Sequence, residues 1–252
     1  AQIFEQESSD RAFEEEVMLV GFGQANVKAE GSAVGFDTAS ESFTARYVHD
    51  TIALAFALTE EAVEDNLYDT LSARYTKALA RSMAYTKQVR GANVLNDAFT
   101  VAGGDGVSLI NTAHPTALGG NFSNRSATDA DLNETSLEQG MIDIAGFIDE
   151  RGLKIAMKGQ KLILPVNLQF VADRILESTL RVGTADNDIN ALKNMGMLPG
   201  GYTVNHYLTD TDAWFVKTDC PNGLKHFVRA ALATGMEGDF DTGNMRYKAR
   251  ER

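Results

Sequence analysis

The side chains best suited to catalysis or metal binding are scattered thinly along this sequence. The four histidines lie far apart and show none of the spacings of metal ligands: His49, His114, His206 and His226. We therefore expect each histidine to be an ordinary strand or loop residue. Cys220 is the only cysteine, which excludes an intrachain disulfide, and its position before a proline gives no signature of a reactive thiol. A single cysteine of this kind indicates folding in a reducing, intracellular setting.

Two short stretches begin like ligand-binding motifs, and each lacks an essential part. Residues 21–23 read Gly-Phe-Gly, but no third glycine and no helix pattern follow, so a pyrophosphate would lack its helix N-terminus. Residues 129–133 open like a calcium-binding loop, yet Glu134 replaces the required glycine and Gly140 the required glutamate. Residues 239–241 form a similar acidic turn, and no serine-hydrolase elbow, P-loop or H-E-x-x-H motif is present. We therefore predict no catalytic, cofactor-binding or metal-ligating residue.

The composition is that of a globular chain with a strongly acidic balance. The 252 residues are 44% hydrophobic, enough for one large domain or two closely joined ones, and the formal net charge is −12. This charge argues against tight wrapping of nucleic acid by the surface as a whole, because such binding needs clustered Lys and Arg. No apolar run approaches the roughly 18 residues of a membrane span. The first ten residues lack the basic and apolar regions of a secretory signal.

A long helix organises the middle of the chain. Residues 60–90 contain neither Gly nor Pro, Thr59 is a candidate N-cap, and acids give way to bases along the segment. We predict one uninterrupted helix of about eight turns, roughly 45–60 Å long. Its apolar residues step by four: Val63, Leu67, Leu71, Tyr75, Leu79 and Met83. Such a stripe winds around the helix, which indicates a spine that meets different partners along its length; the alternative is a long core helix in an ordinary enzyme.

A two-stranded arm precedes this spine. Residues 17–20 and 43–58 have strand character, with a change of alternation near Thr51 and a connection around residues 29–37. An isolated two-stranded ribbon is marginal in water, so the arm either folds back on its domain or lies on a neighbouring copy. We favour the neighbouring copy. Residues 1–16 are acidic and read as an arm or a short polar helix outside the core.

The second half predicts an α/β layer after a loop-rich excursion. A capping box at residues 135–138 begins a helix that ends at Gly152 as its C′ residue. Residues 161–166 form a short apolar strand, typical of a central strand covered on both faces, and Asn167 caps the next helix. The apolar stripes of the two helices are Leu137, Met141, Ile144 and Ile148 in the first, and Leu168, Val171, Ile175 and Leu180 in the second.

The last part of the chain predicts a hairpin and a closing strand. Residues 221–223 read Pro-Asn-Gly and form a turn between two short strands. The final segment alternates, with Met245, Tyr247 and Ala249 on one face and Arg246, Lys248, Arg250 and Arg252 on the other. The basic stripe is either a solvated edge or a surface that meets acidic residues of another subunit, such as residues 1–16.

The order of the predicted elements resembles that of a known family: an arm, a spine, a loop, an α/β layer and a basic strand. The chain is similar to the major capsid proteins of tailed bacteriophages with the Hong Kong 97 fold, and within them to the Mu-like major head subunit group. The resemblance lies in ARYVHDTIALAFALTEEAVEDN (45–66), KALARSMAYTKQVRGANVLNDAF (77–99), INTAHPTALGG (110–120) and KLILPVNLQFVADRIL (161–176). It implies an α+β fold with an extended β-hairpin arm.

The resemblance also implies a domain layout. Residues 1–17 would be an N-terminal arm and residues 18–58 the extended loop that reaches over an adjacent subunit. Residues 59–134 and 226–252 would form the peripheral domain with the spine helix. Residues 135–225 would form the axial domain at the centre of hexamers and pentamers. Some members cross-link through a Lys and an Asn, but no motif locates such a pair here.

The function implied is structural and needs no cofactor. The chain would self-assemble as hexamers and pentamers into an icosahedral shell that encloses double-stranded DNA without sequence-specific binding. Portal, scaffolding and decoration proteins are the further partners expected, and no membrane is involved. The location would be the virion, after assembly in the bacterial host cytoplasm. The alternatives are an encapsulin-type nanocompartment shell around a cargo enzyme, or a soluble enzyme with an unrecognised site.

Overall fold

The computed structural model describes residues 3–65, 68–181 and 188–252, with side chains described outside positions 68–71. The helices are α1 Glu60–Glu64, α2 Tyr68–Asn96, α3 Glu134–Ala145, α4 Gln169–Glu177 and α5 Ala191–Met195. The strands are β1 Glu5–Ser8, β2 Phe13–Val20, β3 Ser40–Val48, β4 Ile52–Leu58, β5 His114–Pro115, β6 Asn121–Phe122, β7 Gly159–Leu164, β8 Tyr202–Val204, β9 Phe215–Thr218, β10 Lys225–Val228, β11 Ala233–Gly238 and β12 Met245–Glu251. Two compact units result: the first is mainly residues 15–46 and 93–224, and the second is residues 5–14, 47–92 and 225–252.

The core of the first unit forms around β7. This strand lies between β8, to which it is parallel, and β9, to which it is antiparallel. Leu162 and Leu164 point into a cluster built from α3, α4 and α5, while Ile163 points the other way and is 1% exposed. Both faces of β7 are therefore covered, which confirms the prediction of a central strand from its continuous apolar run.

Helix α3 begins earlier and ends earlier than predicted. Its N-cap is Asn133, whose side chain accepts a hydrogen bond from the Ser136 amide at 2.9 Å, while the Ser136 hydroxyl accepts from the Asn133 amide at 3.0 Å. This reciprocal pair replaces the box predicted at residues 135–138. The helix ends at Ala145 with Gly146 as its C-cap, because the chain then turns to pair Ile148 with Lys154. Gly152 lies within that later turn, so its assignment as the helix C′ residue was wrong.

Helix α4 follows a different start from the predicted one. Pro165 ends β7 and precedes a 3₁₀ turn at Val166–Leu168, so Asn167 lies inside this turn and does not cap the helix. The fixed φ of proline suits the first position before such a turn. The buried face of α4 is Ala172 and Ile175, with Leu168 and Val171 packed beside them. Leu180 lies beyond the end of the helix.

The second unit is built on a sheet of order β11-β12-β4. Alternate residues of β12 face α2, where Ala249 packs with Leu79 and Met83. Phe56 of β4 stacks on Tyr247 with ring centroids 4.9 Å apart. The predicted two-faced pattern of the closing strand is confirmed for residues 245–250, whereas Arg252 lies beyond the end of β12 with its Nε atom buried, so its place on the basic face was wrong. The interpretation of the closing strand as a sheet edge was wrong, because β12 has a paired strand on each side.

Residues 5–8 form a strand in the second unit. The predictions of an arm or a short polar helix were wrong for these residues. β1 pairs in parallel with β10, and Lys225 approaches Glu7 at 3.5 Å. The predicted hairpin around residues 221–223 does not form, because β9 pairs with β7 while β10 pairs with β1. The Pro-Asn-Gly turn is present, with Asn222 at a φ of 58°, but it connects strands of two separate sheets.

The spine is divided into two helices. Thr59 caps α1 as predicted by accepting a hydrogen bond from the Ala62 amide. However, α1 ends at Glu64, with Asp65 at a ψ of 8°, so the prediction of one uninterrupted helix from residue 60 was wrong. Leu67 and the side chain of Leu71 lie outside the described residues. Helix α2 continues past Arg90 to Asn96, and its 29 residues span about 44 Å.

The arm consists of β2 and β3, joined by residues 21–39, which we call the arm loop. The change of alternation predicted near Thr51 is confirmed, because β3 ends at Val48 and β4 begins at Ile52. The consequence is larger than predicted. β4 leaves the arm and pairs with β12, so the strand opposite β2 is only residues 40–48 and not the whole of 43–58.

Candidate functional site

One serine–histidine pair forms that the sequence did not indicate. Ser9 is 6% exposed, and its hydroxyl lies 3.1 Å from His49 Nε2 and within hydrogen-bonding distance of a Glu14 carboxylate oxygen. A hydroxyl can donate only one hydrogen bond, and the Ser9 hydroxyl donates it to the Glu14 carboxylate. The contact with His49 therefore requires that Nε2 carries a proton and donates it to Ser9 Oγ. A histidine in that tautomer cannot act as the general base of a serine nucleophile. The group therefore fixes the chain between β1 and β2 and does no chemistry.

A second histidine pair supports the loop after the spine. His114 Nδ1 lies 2.5 Å from Asp105 Oδ2, and the other carboxylate oxygen of Asp105 accepts from the Val107 amide at 3.2 Å. The buried His114 Nε2 has no hydrogen-bond partner among the described residues. The pair joins β5 to the turn at residues 103–107 and brings no nucleophile with it. His206 lies in a loop and His226 in β10, where burial, followed by the nearby charge of Lys87, lowers the pKa of His226.

The remaining residues considered from sequence are structural. Asp129 forms an ion pair with Arg125, and Asn133 is the N-cap of α3. Asp239 accepts from Thr242 and Arg246 within its turn. Desolvation and the charge of Asp219 raise the pKa of the Cys220 thiol, which keeps it protonated and unreactive. Across residues 3–65, 68–181 and 188–252, no cluster of three or more metal-ligating side chains occurs. Nor does any helix within those ranges have the length and hydropathy to cross a membrane.

The most unusual surface is the arm loop. Its apolar side chains have no core to enter, and Val27 and Phe36 are 101% and 100% exposed. Phe22 and Val34 are also mostly exposed. Burying one such side chain stabilises a protein by about 1.5–3 kcal/mol, so four of them left in water indicate a surface that awaits a partner.

The base of the arm loop, in contrast, is held firmly by Arg151. Its guanidinium donates to the Gly21 and Thr38 carbonyl oxygens at 3.1 Å each, and to both Asp37 carboxylate oxygens at 2.8 and 3.0 Å. The Asp37 carboxylate also accepts from the Gly23 amide at 2.8 Å. We call these five residues the arm clamp. Hydrogen bonds from the Gly23 and Thr38 amides, and then the Arg151 charge, hold the pKa of Asp37 below its ordinary value of 3.8.

Close packing fixes the arm strands next to the clamp. A Cβ atom at Gly104 would lie 2.9 Å from the Cβ of Ala45 and 3.1 Å from the ring of Phe43, so only glycine fits this position. Across the two strands, Arg46 pairs with Glu15 at 3.0 Å. The arm is therefore rigid at its base and presents apolar side chains at its loop. This arrangement suits insertion into another protein surface and offers no catalytic function.

Comparison with known proteins identifies the family of this chain. The profile of the phage capsid protein family matches residues 42–252, more than four fifths of the chain. No curated protein sequence matches it. Among solved structures, the fold is similar to the bacteriophage JBD30 capsid, with a TM-score of 0.62, 11% identity, and 82% of this chain and 90% of that chain covered.

Two further structures have the same fold. The capsid of Myoviridae phage XM1 has a TM-score of 0.57 and 11% identity, covering 99% of this chain and 83% of that chain. A virus-like particle from Pyrococcus furiosus has a TM-score of 0.53 and 9% identity, with the same two coverages of 99% and 83%. Identities this low show the fold alone, and that fold is the predicted Hong Kong 97 type.

Proposed function

This chain belongs to the phage capsid protein family, and we propose that its copies assemble as hexamers and pentamers into the icosahedral shell around the double-stranded DNA of a tailed bacteriophage. It is a major capsid protein, a non-enzymatic structural component of the virion. The observation that carries the proposal is the family match over residues 42–252, which includes most of arm strand β3 and all of closing strand β12. Assignment to the Mu-like head subunit group is part of the proposal.

The domain layout predicted from the sequence belongs to this proposal. Residues 18–58 act as the extended loop, residues 59–134 and 226–252 as the peripheral domain, and residues 135–225 as the axial domain. Residues 1–17 act as an N-terminal arm that is anchored within the subunit by the pairing of residues 5–8 with β10. The cluster around β7 supports the axial assignment, because its buried members other than Leu132 lie within residues 135–225. The packing of β12 on α2 and the pairing of β11 with β12 support the peripheral one, and the pairing of β4 with β12 adds residues 52–58 to that domain in place of the extended loop.

The arm loop of one copy lies on a neighbouring copy. Its support is the contrast between the exposed apolar loop, with Val27 and Phe36 wholly in solvent, and the base held by Arg151. A rigid base reduces the conformational entropy lost when the loop docks, so more of the apolar burial contributes to assembly.

Further partners are the portal, scaffolding and decoration proteins, with assembly in the host cytoplasm. The JBD30 capsid is decorated with minor capsid protein trimers, and its similarity to this fold supports a decoration protein here. A nanocompartment shell around a cargo enzyme is less supported, because the matching family is that of phage capsid proteins.

Electron microscopy of the purified full chain tests the proposal. We expect closed icosahedral shells from the wild-type chain, and open or no shells from the triple variant Val27→Ser, Val34→Ser, Phe36→Ser. A control variant, Val101→Ser with Leu118→Ser, removes exposed apolar side chains outside the arm loop and should assemble normally. If the triple variant forms normal shells, the apolar side chains of the arm loop do not contribute to assembly. If particles from the native host contain a protein cargo and no DNA, the proposed phage shell is wrong and the chain forms a nanocompartment.

A further inference from the structure

The sheet of the second unit has one face packed on α2 and one face open to solvent. The open face carries Arg246, Lys248 and Arg250, which occupy alternate positions of β12 and are all exposed. We call these three residues the basic row. Because β12 is the central strand, the row runs down the middle of the sheet and not along its edge.

The strands on both sides of the basic row contribute almost no side-chain bulk. Residues directly opposite each other in a sheet point to the same face. The residues opposite the row are Ala57, Ala55 and Ala53 on β4, and Glu237, Gly235 and Ala233 on β11. Apart from Glu237 at one end, nothing beside the row extends past a methyl group. The three cationic side chains therefore stand above a flat, shallow surface.

Two of the three charges lack a partner within the described part of the chain. Arg246 donates to Asp239, while Lys248 and Arg250 form no ion pair there. The Lys248 side chain runs across Gly235, where a Cβ would lie 3.2 Å from its Cε. Uncompensated cations in the middle of a sheet are notable on a chain of net charge −12, because its acidic side chains outnumber the basic ones and could pair with them.

The acidic first segment is engaged elsewhere in its own chain. Glu7 lies 3.5 Å from Lys225, Asp10 lies 3.9 Å from Arg229, and Glu15 lies 3.0 Å from Arg46. These contacts disfavour the sequence-based hypothesis that residues 1–16 of another copy neutralise the basic row. An anion from outside the subunits fits better.

We infer that the basic row is a contact surface for the phosphate backbone of the enclosed DNA. Alternate residues of a strand are about 6.8 Å apart, so the three cations form a line along which a phosphate backbone can lie. The flat flanks admit a duplex backbone without steric conflict. The inferred contacts go to phosphate groups and not to base edges, so they carry no sequence information. This inference rests on the proposed function, that the shell encloses DNA.

The salt dependence of DNA binding tests it. Fluorescence anisotropy with a labelled 30-base-pair duplex of random sequence measures the affinity of the full-length, unassembled chain between 50 and 200 mM salt. The variant is Arg246→Gln, Lys248→Gln, Arg250→Gln. Losing two to three phosphate contacts reduces the magnitude of the negative slope of log affinity against log salt by about 1.8–2.7. Across the fourfold salt range, the wild-type affinity should therefore fall about 12- to 40-fold more than that of the variant.

A control with the same charge change separates a specific surface from net charge. Arg74, Lys77 and Arg81 are exposed on α2, in the same unit, and their replacement by Gln should leave most of the wild-type slope. An equal loss of slope in the control triple would overturn the inference. Unchanged DNA binding together with slower assembly of the basic-row variant would also overturn it, and would assign the row to an acidic surface of a second copy.

The two proposals fail in different ways. If wild-type protein forms no shells in the electron microscope, the proposed function is wrong, whatever the salt slopes are. If wild-type shells form and the basic-row variant keeps the wild-type slope, only the DNA-contact inference is wrong.

Discussion

Replacing Arg151 by Gln should release the arm loop from residues 93–224 of the first unit without unfolding them. The guanidinium makes two hydrogen bonds to backbone carbonyl oxygens, those of Gly21 and Thr38, in addition to its contacts with Asp37. The side chain is 20% exposed, so water competes only in part for these bonds. Each carbonyl bond from this partly exposed donor then contributes about 1 kcal/mol, the typical net value of a protein hydrogen bond and below the range for bonds to fully buried charged groups. Counting these two alone, opening of the arm clamp becomes easier by about 2 kcal/mol, or roughly 30-fold in its equilibrium constant.

Hydrogen exchange measured by mass spectrometry on the unassembled chain reads this opening directly. The Gly23 and Thr38 amides donate to Asp37 in the clamp, so their exchange depends on its closure. We expect about 30-fold faster exchange across residues 21–39 in Arg151→Gln, with unchanged exchange in β7. Arg125→Gln is the matched control, because it removes the same charge from an arginine paired with Asp129 outside the arm. Wild-type exchange of the arm loop in Arg151→Gln, or equal acceleration in Arg125→Gln, would refute the role assigned to the clamp.

Three further predictions concern acid sensitivity, the core and the spine. The folded-state pKa of Asp37 is lowered from 3.8, so the stability that its carboxylate contributes to the arm clamp is present above pH 3.8 and is lost as pH falls through the lowered pKa. Hydrogen exchange of the arm loop should accelerate over that pH range, and Asp37→Asn should abolish this pH dependence. Leu162→Ala, at a fully buried position, should lower the free energy of unfolding by about 2–5 kcal/mol in denaturant titrations, whereas a loss below 1 kcal/mol would contradict a close-packed strand. Ala80→Pro in the middle of α2 should cost about 3 kcal/mol or more against about 1 kcal/mol for Ala80→Gly by thermal melting; equal melting temperatures would mean that α2 is already interrupted there.

Features set by neighbouring residues were predictable from the sequence. The unbroken apolar run of β7 predicted a strand buried on both faces, and the alternation along β12 predicted which of its side chains face the core. Thr59 before a run of acids predicted the first N-cap, and the change of alternation near Thr51 predicted the break between β3 and β4. These signals are local, because side-chain direction repeats every two residues in a strand and every three to four in a helix.

The arrangement of the strands was decided only by the tertiary structure. β10 pairs with β1 and not with the adjacent β9, and β12 is central and not an edge. Strand pairing uses backbone amides and carbonyls, which every non-proline residue carries, so the sequence of a strand does not specify its partner. The Arg151 clamp depends in the same way on distance, since 114 residues separate Arg151 from Asp37. The sequence around a single arginine does not indicate which distant carboxylate it will pair with, and the fold alone brings the two together.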